Sequence, residues 1–205
     1  MQVLQKANEK LLKCSSFRYD FLQSTYIVNM EETLLSEGFL IYRSPQTKDE
    51  MPRIYLEYFE PKDEQQVLVF DGSLLWAYRK NTNQVVKQKV AASQMKRNAM
   101  VFIPQWLEEL YKTAKIKTLG QDDNGLHRYE ATPLEVDNEF FRKVELFIDP
   151  LTYELKRYIM VDLSDNLIEV NVQKSSYDLN TPENKFIFKV PKGAEVIENL
   201  HLGVN

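Results

Sequence analysis

Few residues of the types that usually carry catalysis occur in this chain. Its 205 residues include one cysteine, Cys14, and two histidines, His127 and His201. A structural zinc site needs about four Cys or His ligands and a catalytic zinc site about three protein ligands, so these residues favour neither. Cys14 has no second cysteine with which to form an internal disulfide. His127 lies beside Arg128 in a strand-like segment, where a packed or surface histidine is more common than a general base.

Enzyme motifs with a defined spacing are also missing. The chain contains no G-x-S-x-G, no P-loop, no G-x-G-x-x-G, no H-E-x-x-H and no C-x-x-C. The acidic pairs Glu31-Glu32 and Asp122-Asp123 lie in turn-like sequence, where solvated loop carboxylates are expected rather than a glycosidase pair. The sequence therefore predicts a protein that is not an enzyme and that holds neither a metal nor a cofactor.

Arg43 is the charged residue whose position most suggests a specific role. It ends the apolar segment Gly38–Tyr42 and precedes Ser44 and Pro45. Its five N–H donors could bond the carbonyls at the C-terminus of a helix and so hold that helix over a sheet. The side chain could equally point into water, and the spacing alone leaves both interpretations open.

The overall charge excludes one class of partner. Against 26 Lys and Arg residues stand 30 Asp and Glu residues, which gives a formal net charge of −4. This balance argues against a protein that binds nucleic acid by neutralising phosphates.

The basic residues are nevertheless concentrated in one stretch. Between Gly72 and Leu107 there is no acidic residue, so this stretch carries +6 and the rest of the chain −10, which together make −4. It is either the solvated face of a hairpin or a docking surface for an acidic partner or anionic headgroups. The six basic residues are Arg79, Lys80, Lys87, Lys89, Lys96 and Arg97.

Two amphipathic helices and a long series of strands must position these residues. Apolar residues recur at three- and four-residue spacings from Val3 to Cys14, which predicts the first helix. Pro104 suits the first turn of a second helix. The apolar face of this second helix is predicted to carry Phe102, Ile103, Trp106, Leu107 and Leu110.

The remaining sequence predicts strands. From Phe17 onward, short runs of Tyr, Phe, Val and Ile alternate with turn-forming residues such as Asp71-Gly72, which is typical of an antiparallel meander. The last predicted strand is Phe186–Val190. Helix, strands, helix and strands in this order predict an α+β fold with one large antiparallel sheet. The hydrophobic content of 43%, without a repeat or linker, predicts one domain over residues 1–205.

A sheet of this size must curl, and its concave face must be filled or covered. Only the two predicted helices are available as cover. Gly38–Tyr42 has no polar residue on either face, and Ile54–Phe59 has one charge. We therefore expect both faces of the sheet to be covered, or one of them to face a ligand.

Hydropathy favours a soluble chain. No run of about 18 apolar residues exists that could cross a membrane as a helix. The polar residues between Met1 and Lys13 do not form the apolar core of a secretory signal. The chain is expected to be either cytoplasmic or a mature form whose signal has been removed.

Five segments in this order make the chain resemble the family of periplasmic outer-membrane lipoprotein carriers, the LolA-like family. The resemblance spans nearly the whole chain, and it depends on the order of the segments rather than on any single motif. The five segments are Phe17–Gln23, Gly38–Pro45, Ile54–Pro61, Val67–Tyr78 and Phe186–Gly193.

This resemblance implies a fold and a function. The fold would be an unclosed half-barrel of one curled antiparallel sheet, with amphipathic helices as a lid over an apolar cavity. The cavity would hold the acyl chains of lipoproteins while the carrier, a monomer in the periplasm, moves them from the inner to the outer membrane. The implied partners are acylated lipoproteins, an ATP-driven release complex in the inner membrane and an acceptor lipoprotein in the outer membrane.

The resemblance also assigns roles to residues. Arg43 falls on the gate arginine of the family, which favours its interpretation as a latch on the lid. Counting alternate residues back from Arg43 then predicts the cavity, and the second helix supplies the lid. The predicted cavity residues are Phe39, Ile41, Ile54, Leu56 and Tyr58, and the predicted lid residues are Phe102, Trp106, Leu107 and Leu110.

Two features depart from the family pattern. Ser44 separates Arg43 from Pro45, and the loop Gln46–Pro52 is long and polar where the family has an aromatic residue. Two other functions also stay open. The same half-barrel could carry or sense another lipid, or the chain could be a protein-interaction domain with a filled core in which Trp106 merely packs.

Overall fold

The computed structural model describes residues 1–90, 107, 110–134 and 141–199 of the chain. These residues include one α-helix at the N-terminus, helical residues at 107 and 110–113, twelve strands and three short 3₁₀-helices. The elements are α1 (Gln2–Lys13), β1 (Ser16–Ile27), β2 (Glu32–Arg43), β3 (Arg53–Glu60), β4 (Gln66–Phe70), β5 (Leu74–Arg79), β6 (Gln84–Lys89), β7 (Ala114–Gln121), β8 (His127–Pro133), β9 (Lys143–Ile148), β10 (Leu155–Val161), β11 (Leu167–Tyr177) and β12 (Glu195–Asn199).

Helix α1 forms because its apolar residues share one face. Leu4, Ala7 and Leu11 recur at helical spacing and are all buried. Lys10 and Lys13 lie in the last turn, where positive charge favours the helix dipole. The helix ends at Lys13, and the next residue has extended backbone angles. The predicted first helix is confirmed.

The twelve described strands form one sheet in the order β12-β6-β5-β4-β3-β2-β1-β11-β10-β9-β8-β7. Neighbouring strands are antiparallel except at one edge, where β12 runs parallel to β6. The order does not return on itself, so the sheet is curled but unclosed. The prediction of a single large antiparallel sheet is thus confirmed, with β12 as an exception that the sequence pattern did not indicate.

Strand register divides the side chains of the sheet between two faces. Leu40 lies opposite Leu56, and Tyr42 lies opposite Ile54. These four residues belong to the main hydrophobic core together with Leu4 and the other buried residues of α1. We call the face that carries this core, and against which α1 packs, the inner face.

Part of the opposite, outer face, over β2, β3 and β5, is covered by the segment that follows β11, which we call the C-terminal strap (residues 178–194). Its anchor is Phe186, which is fully buried and lies outside the main core cluster. Further along the strap, Phe188 stacks on Trp76 with the ring centroids 5.4 Å apart. The strap then leads into β12, which pairs with β6 at the edge of the sheet.

The strap corrects the predicted last strand. Residues Glu183–Phe186 form a 3₁₀-helix, and the segment from 187 to 190 is not a strand. The alternation of Phe186 and Phe188 does resemble a strand pattern, because both rings point toward the sheet. They pack on its outer face instead of pairing with it through the backbone.

Truncating the strap anchor should destabilise the protein. Phe186→Ala removes a fully buried ring from the outer face, and such changes typically lower the free energy of unfolding by about 3–5 kcal/mol. Urea unfolding followed by circular dichroism measures this value. The neighbouring Ile187 is 58% exposed, so Ile187→Ala is the matched control and should change stability by less than about 0.5 kcal/mol. Equal effects of the two variants would contradict the anchoring role of Phe186.

Candidate functional site

A pocket of about 280 Å³ opens on the inner face of the sheet. Its walls come from six strands, four consecutive ones from β1 to β4 and the pair β10 and β11 on the other side of β1. The lining residues are Tyr19, Phe21, Gln23, Leu40, Leu56, Tyr58, Gln66, Leu68, Tyr158, Val170 and Val172. The curl of the sheet brings these strands around a common space.

The pocket has an apolar floor and a rim that contains polar groups. The floor residues are buried, among them Leu40, Leu56 and Val170. At the half-buried rim the hydroxyl of Tyr58 donates to Gln23 Oε1 at 3.0 Å. The amide nitrogen of Gln23 donates in turn to Thr25 Oγ1 at 3.1 Å.

Gly38 makes this arrangement possible. It lies on β2 between Phe21 of β1 and Tyr58 of β3, and the Phe21 and Tyr58 rings meet edge to face, 5.5 Å apart, above it. A Cβ atom at position 38 would lie 2.9 Å from Phe21 Cζ and 2.5 Å from the carbonyl oxygen of Glu57. Only glycine leaves room for the two rings to approach each other across β2.

The pocket is electrically neutral. None of the residues that line it carries a charge, within the part of the chain that the structure describes. Burial raises the pKa of Tyr58 to about 12 and raises the pKa of Tyr19 well above its usual value. The tyrosines of the pocket are therefore protonated at physiological pH, and the site suits an uncharged apolar group.

Three of the predicted cavity residues lie on the face that carries the pocket. Leu56 and Tyr58 line the pocket itself. Ile54 lies on the same face but is fully buried in the core beside Tyr42, away from the lining.

Phe39 and Ile41 lie on the outer face, which corrects their predicted position. Counting alternate residues back from Arg43 places them correctly relative to each other, but the register pairs Leu40, not Ile41, with Leu56. The prediction that Phe39 and Ile41 share a face with Leu56 is therefore wrong, because the even-numbered residues of β2 and β3 share the inner face. Phe39 stacks on Tyr55 beneath the C-terminal strap, with the ring centroids 5.7 Å apart.

Arg43 also belongs to the outer face. The prediction that it latches a helical lid is wrong, because its partners lie in the C-terminal strap. Its guanidinium donates to the carbonyl of Thr181 at 3.2 Å and pairs with the carboxylate of Glu183, both in the strap. Arg53 pairs with the same carboxylate. Arg43 therefore holds the strap against the sheet, because its place in the strand alternation directs it away from α1.

The predicted lid is described only in part. Leu107 and Leu110 are helical, buried and part of the main core on the inner face. Phe102 and Trp106 lie outside the described residues. Tyr111, on the same helical segment, packs against the core as well.

Sequence reasoning missed several residues of the pocket. Tyr19 and Phe21 alternate along β1, and Val170 and Val172 alternate along β11 on its other side. Period-two alternation indicates that such residues share a face, but it does not reveal that β11 is the neighbour of β1. That pairing joins residues about 150 positions apart in the chain.

The predicted basic stretch is partly neutralised where it is described. Lys87 pairs with Glu198 of β12 at 2.9 Å, and Lys80 approaches Glu57 to 3.9 Å. Lys96 and Arg97 lie outside the described residues. Among the described residues no group of three or more His, Cys, Asp or Glu is arranged to hold a metal ion. No helix in the described part of the chain is both long and apolar enough to span a membrane.

An open, curled sheet with an apolar pocket on its inner face is the architecture of a class of half-barrel proteins. The family model described as "Outer membrane lipoprotein carrier protein LolA" matches residues 13–189. The chain therefore belongs to the LolA family, and its predicted resemblance to that family is confirmed.

Individual relatives agree with this family. The chain is 29% identical over 146 residues to an outer-membrane lipoprotein carrier protein of Ralstonia nicotianae, which covers 71% of this chain and 64% of that protein. A protein with the same description from Cupriavidus pinatubonensis is 28% identical over 137 residues, which covers 67% of this chain and 62% of that protein. The chain thus spans slightly less than two thirds of the length of these curated relatives.

Solved structures share the fold at low sequence identity. An uncharacterized conserved protein from Thermus thermophilus superposes with a TM-score of 0.59 at 17% identity, over 97% of this chain and 98% of that one. The structure of the MucA/MucB complex from Pseudomonas aeruginosa superposes with a TM-score of 0.52 at 15% identity, over 92% of this chain and 60% of that one. These similarities concern the fold alone.

The buried tyrosines predict a loss of stability at alkaline pH. In an unfolded chain tyrosine ionises near pH 10, whereas Tyr58 in the folded protein ionises near pH 12. Between these values the unfolded chain binds fewer protons than the folded protein, so the free energy of unfolding falls as the pH rises. Each such tyrosine contributes about 1.4 kcal/mol per pH unit in this range. Urea unfolding at about pH 9 and about pH 11 measures the fall.

The variant Tyr58→Phe separates this effect from general alkaline damage. It loses the bond to Gln23, which should cost about 0.5–1.5 kcal/mol at pH 9. It should then lose less stability than the wild type between pH 9 and pH 11. The same loss in both proteins would contradict the assignment of a raised pKa to Tyr58.

Proposed function

We propose that this protein is a periplasmic carrier that binds the acyl chains of lipoproteins on its inner face and moves them from the inner to the outer membrane. The observation that carries the proposal is the neutral apolar pocket between β1–β4 and β10–β11 in a chain of the LolA family. The names of the Ralstonia and Cupriavidus relatives support the same cargo. The action proposed is binding and release, without catalysis.

The energetics of acyl chains require membrane partners. Each buried methylene is worth about 0.8 kcal/mol, so an anchor with about 40 methylenes represents roughly 30 kcal/mol. Noncovalent binding saturates near about 20 kcal/mol. A carrier cannot extract such an anchor unaided. We therefore include in the proposal an ATP-driven release complex in the inner membrane and an acceptor lipoprotein in the outer membrane.

The size of the pocket implies that loading opens it. Its volume of about 280 Å³ lies just below the range of roughly 300–1,000 Å³ that is usual for small-molecule sites. An anchor of two or three acyl chains exceeds this volume. Helix α1 and the helical residues Leu107 and Leu110 pack on another part of the inner face, and in this proposal they are the lid that the cargo displaces.

Helix α1 is held on the inner face by polar contacts that do not involve Arg43. Lys10 pairs with Glu154 at 3.0 Å, and Lys6 donates to the hydroxyl of Tyr153 at 3.1 Å. Both contacts join α1 to the segment between β9 and β10. They are half-buried or exposed polar contacts, which water can replace at little cost when the lid moves.

A second candidate function is transport or sensing of a smaller lipid by the same pocket. The observation that favours it is again the volume, which suits one short acyl chain better than a complete lipoprotein anchor. The identity of the bound lipid separates this candidate from the first.

A charge placed on the inner face should abolish acyl binding. Leu56→Glu introduces a carboxylate into the floor of the pocket, where an ionised group has no partner and excludes an apolar chain. Fluorescence titration with a pyrene-labelled diacylglycerol should give at least about 100-fold weaker binding than the wild type. Leu68→Glu, at the half-buried cross-strand partner of Leu56 in the floor, is the second variant, for the case that Leu56→Glu does not fold.

The matched control is Phe39→Glu, which places the same charge on the outer face. There it lies beside Arg18, whose guanidinium is 4.1 Å from the centre of the Phe39 ring, and near Lys185. Binding should be unchanged in this variant, with folding checked by circular dichroism. Unchanged binding in a folded Leu56→Glu or Leu68→Glu variant would overturn the proposed site, as would a loss confined to Phe39→Glu.

A further inference from the structure

We propose that the rim of the pocket contains a hydrogen-bonding subsite for the carbonyl of an acyl ester, with Gln66 as the donor. The inference rests on the proposed function, because it assumes an acyl ligand in the pocket. It adds which polar part of that ligand the protein recognises, and in which orientation the ligand lies.

The position of Gln66 separates the polar rim from the apolar floor. Gln66 on β4 is the cross-strand partner of Tyr58 on β3, and the next pair on the same face is Leu56 with Leu68. One step along the strands thus changes the lining from leucine to hydrogen-bonding groups. A chain that lies over the leucines would bring a carbonyl at its end next to Gln66 and Tyr58.

Among the polar side chains of the rim, Gln66 is the one whose amide forms no hydrogen bond to another described residue. The hydroxyl proton of Tyr58 is used in the bond to Gln23 Oε1, and the Gln23 amide nitrogen donates to Thr25. The side chain of Gln66 makes no hydrogen bond to any residue in the described part of the chain, although it is half-buried and lines the pocket. The two N–H donors of its amide are therefore available to an acceptor on a ligand. The cross-strand partner Tyr58 lies next to them on the same face.

The chemistry of the pocket selects a neutral acceptor. An ester carbonyl accepts hydrogen bonds and donates none, which matches the free donors of Gln66. A carboxylate would enter a lining without a cation and would lose its hydration uncompensated. Arg79, the exposed cross-strand neighbour of Gln66 on β5, lies beside the rim but not in the lining. A charged or polar headgroup would therefore remain outside, past the ester.

The same ester occurs in the lipid-modified cysteine of lipoproteins and in glycerophospholipids. Both have acyl chains on glycerol, so the subsite recognises their shared chemistry. Comparison of a diacylated lipopeptide with phosphatidylglycerol of the same chain length tells the two sources apart.

The test compares two lipids that differ only in their carbonyl groups, dioctanoylglycerol and the matching dioctyl ether. Their affinities are measured by displacement of N-phenylnaphthylamine from the full chain. We expect the ester to bind about 3- to 10-fold more tightly than the ether, the value of one hydrogen bond. In Gln66→Leu the affinity for the ester should fall to that of the ether, while the affinity for the ether is unchanged.

Two further variants make the result specific. Gln66→Met repeats the loss of the amide with an unbranched side chain, for the case that leucine disturbs the fold. Gln88→Leu makes the same substitution at a half-buried position of β6 that does not line the pocket, and it should keep the preference for the ester. An affinity for the lipopeptide or the phospholipid that depends on Gln66 supports the subsite. The lipid that shows this dependence is the source of the ester, and both lipids are sources if both show it.

Failure of this inference is distinguishable from failure of the proposed function. Equal affinity of the wild type for ester and ether, or an ester preference that survives in both Gln66 variants, overturns the subsite while leaving the acyl-binding pocket intact. Binding of none of the lipids to the wild type overturns the proposed function together with the subsite.

Discussion

Coverage of both faces of one open sheet is the constraint on which this structure depends. Twelve described strands form a sheet that does not close, so neither face is sealed by the sheet itself. Strands such as β2 and β3 carry large apolar residues on both faces, and each face must be kept from water. The chain solves this with two different covers. The strap, anchored by Phe186 and held by Arg43, covers the outer face over β2, β3 and β5. Helix α1 and the helical residues Leu107 and Leu110 cover part of the inner face.

The incomplete cover of the inner face is what leaves a pocket there. Between β1–β4 and β10–β11 the side chains leave a pocket. Gly38 shapes one wall of it, because the missing side chain lets the Phe21 and Tyr58 rings pack against each other across β2. The lining is neutral and mostly apolar. Its two glutamines and Tyr58 lie at the half-buried rim, and the other two tyrosines of the lining are buried. This distribution matches an amphiphile whose chain is buried and whose polar end remains near water.

Local pattern predicted those parts of the fold that depend on neighbouring residues in the chain. The spacing of Leu4, Ala7 and Leu11 gave α1, and the alternating aromatic and β-branched runs gave the antiparallel meander. The order of the five resembling segments along the chain predicted the family. Leu56 and Tyr58 were assigned to the cavity because their alternation along β3 is local information.

The errors all concern how one segment of the chain is placed against another. Phe39 and Ile41 were placed on the wrong face because alternation within β2 does not state how β2 aligns with β3, and a shift of one residue exchanges the faces. Arg43 was assigned to the helix lid because nothing local to it indicates that residues about 140 positions later cross the outer face. Phe186 and Phe188 resembled a strand because packing on a sheet and pairing within it both favour alternate apolar residues.

The central claim is that the inner face binds an acyl lipid, and native mass spectrometry of the purified protein tests it most directly. Organic extraction of the same sample then identifies any bound lipid. The account predicts a bound species with acyl chains, lipoprotein-derived for the carrier or a smaller lipid for the second candidate, that is lost from Leu56→Glu and retained by Phe39→Glu. A protein that carries no lipid, and that also takes up none when incubated with diacylated lipopeptide or diacylglycerol, would contradict the account.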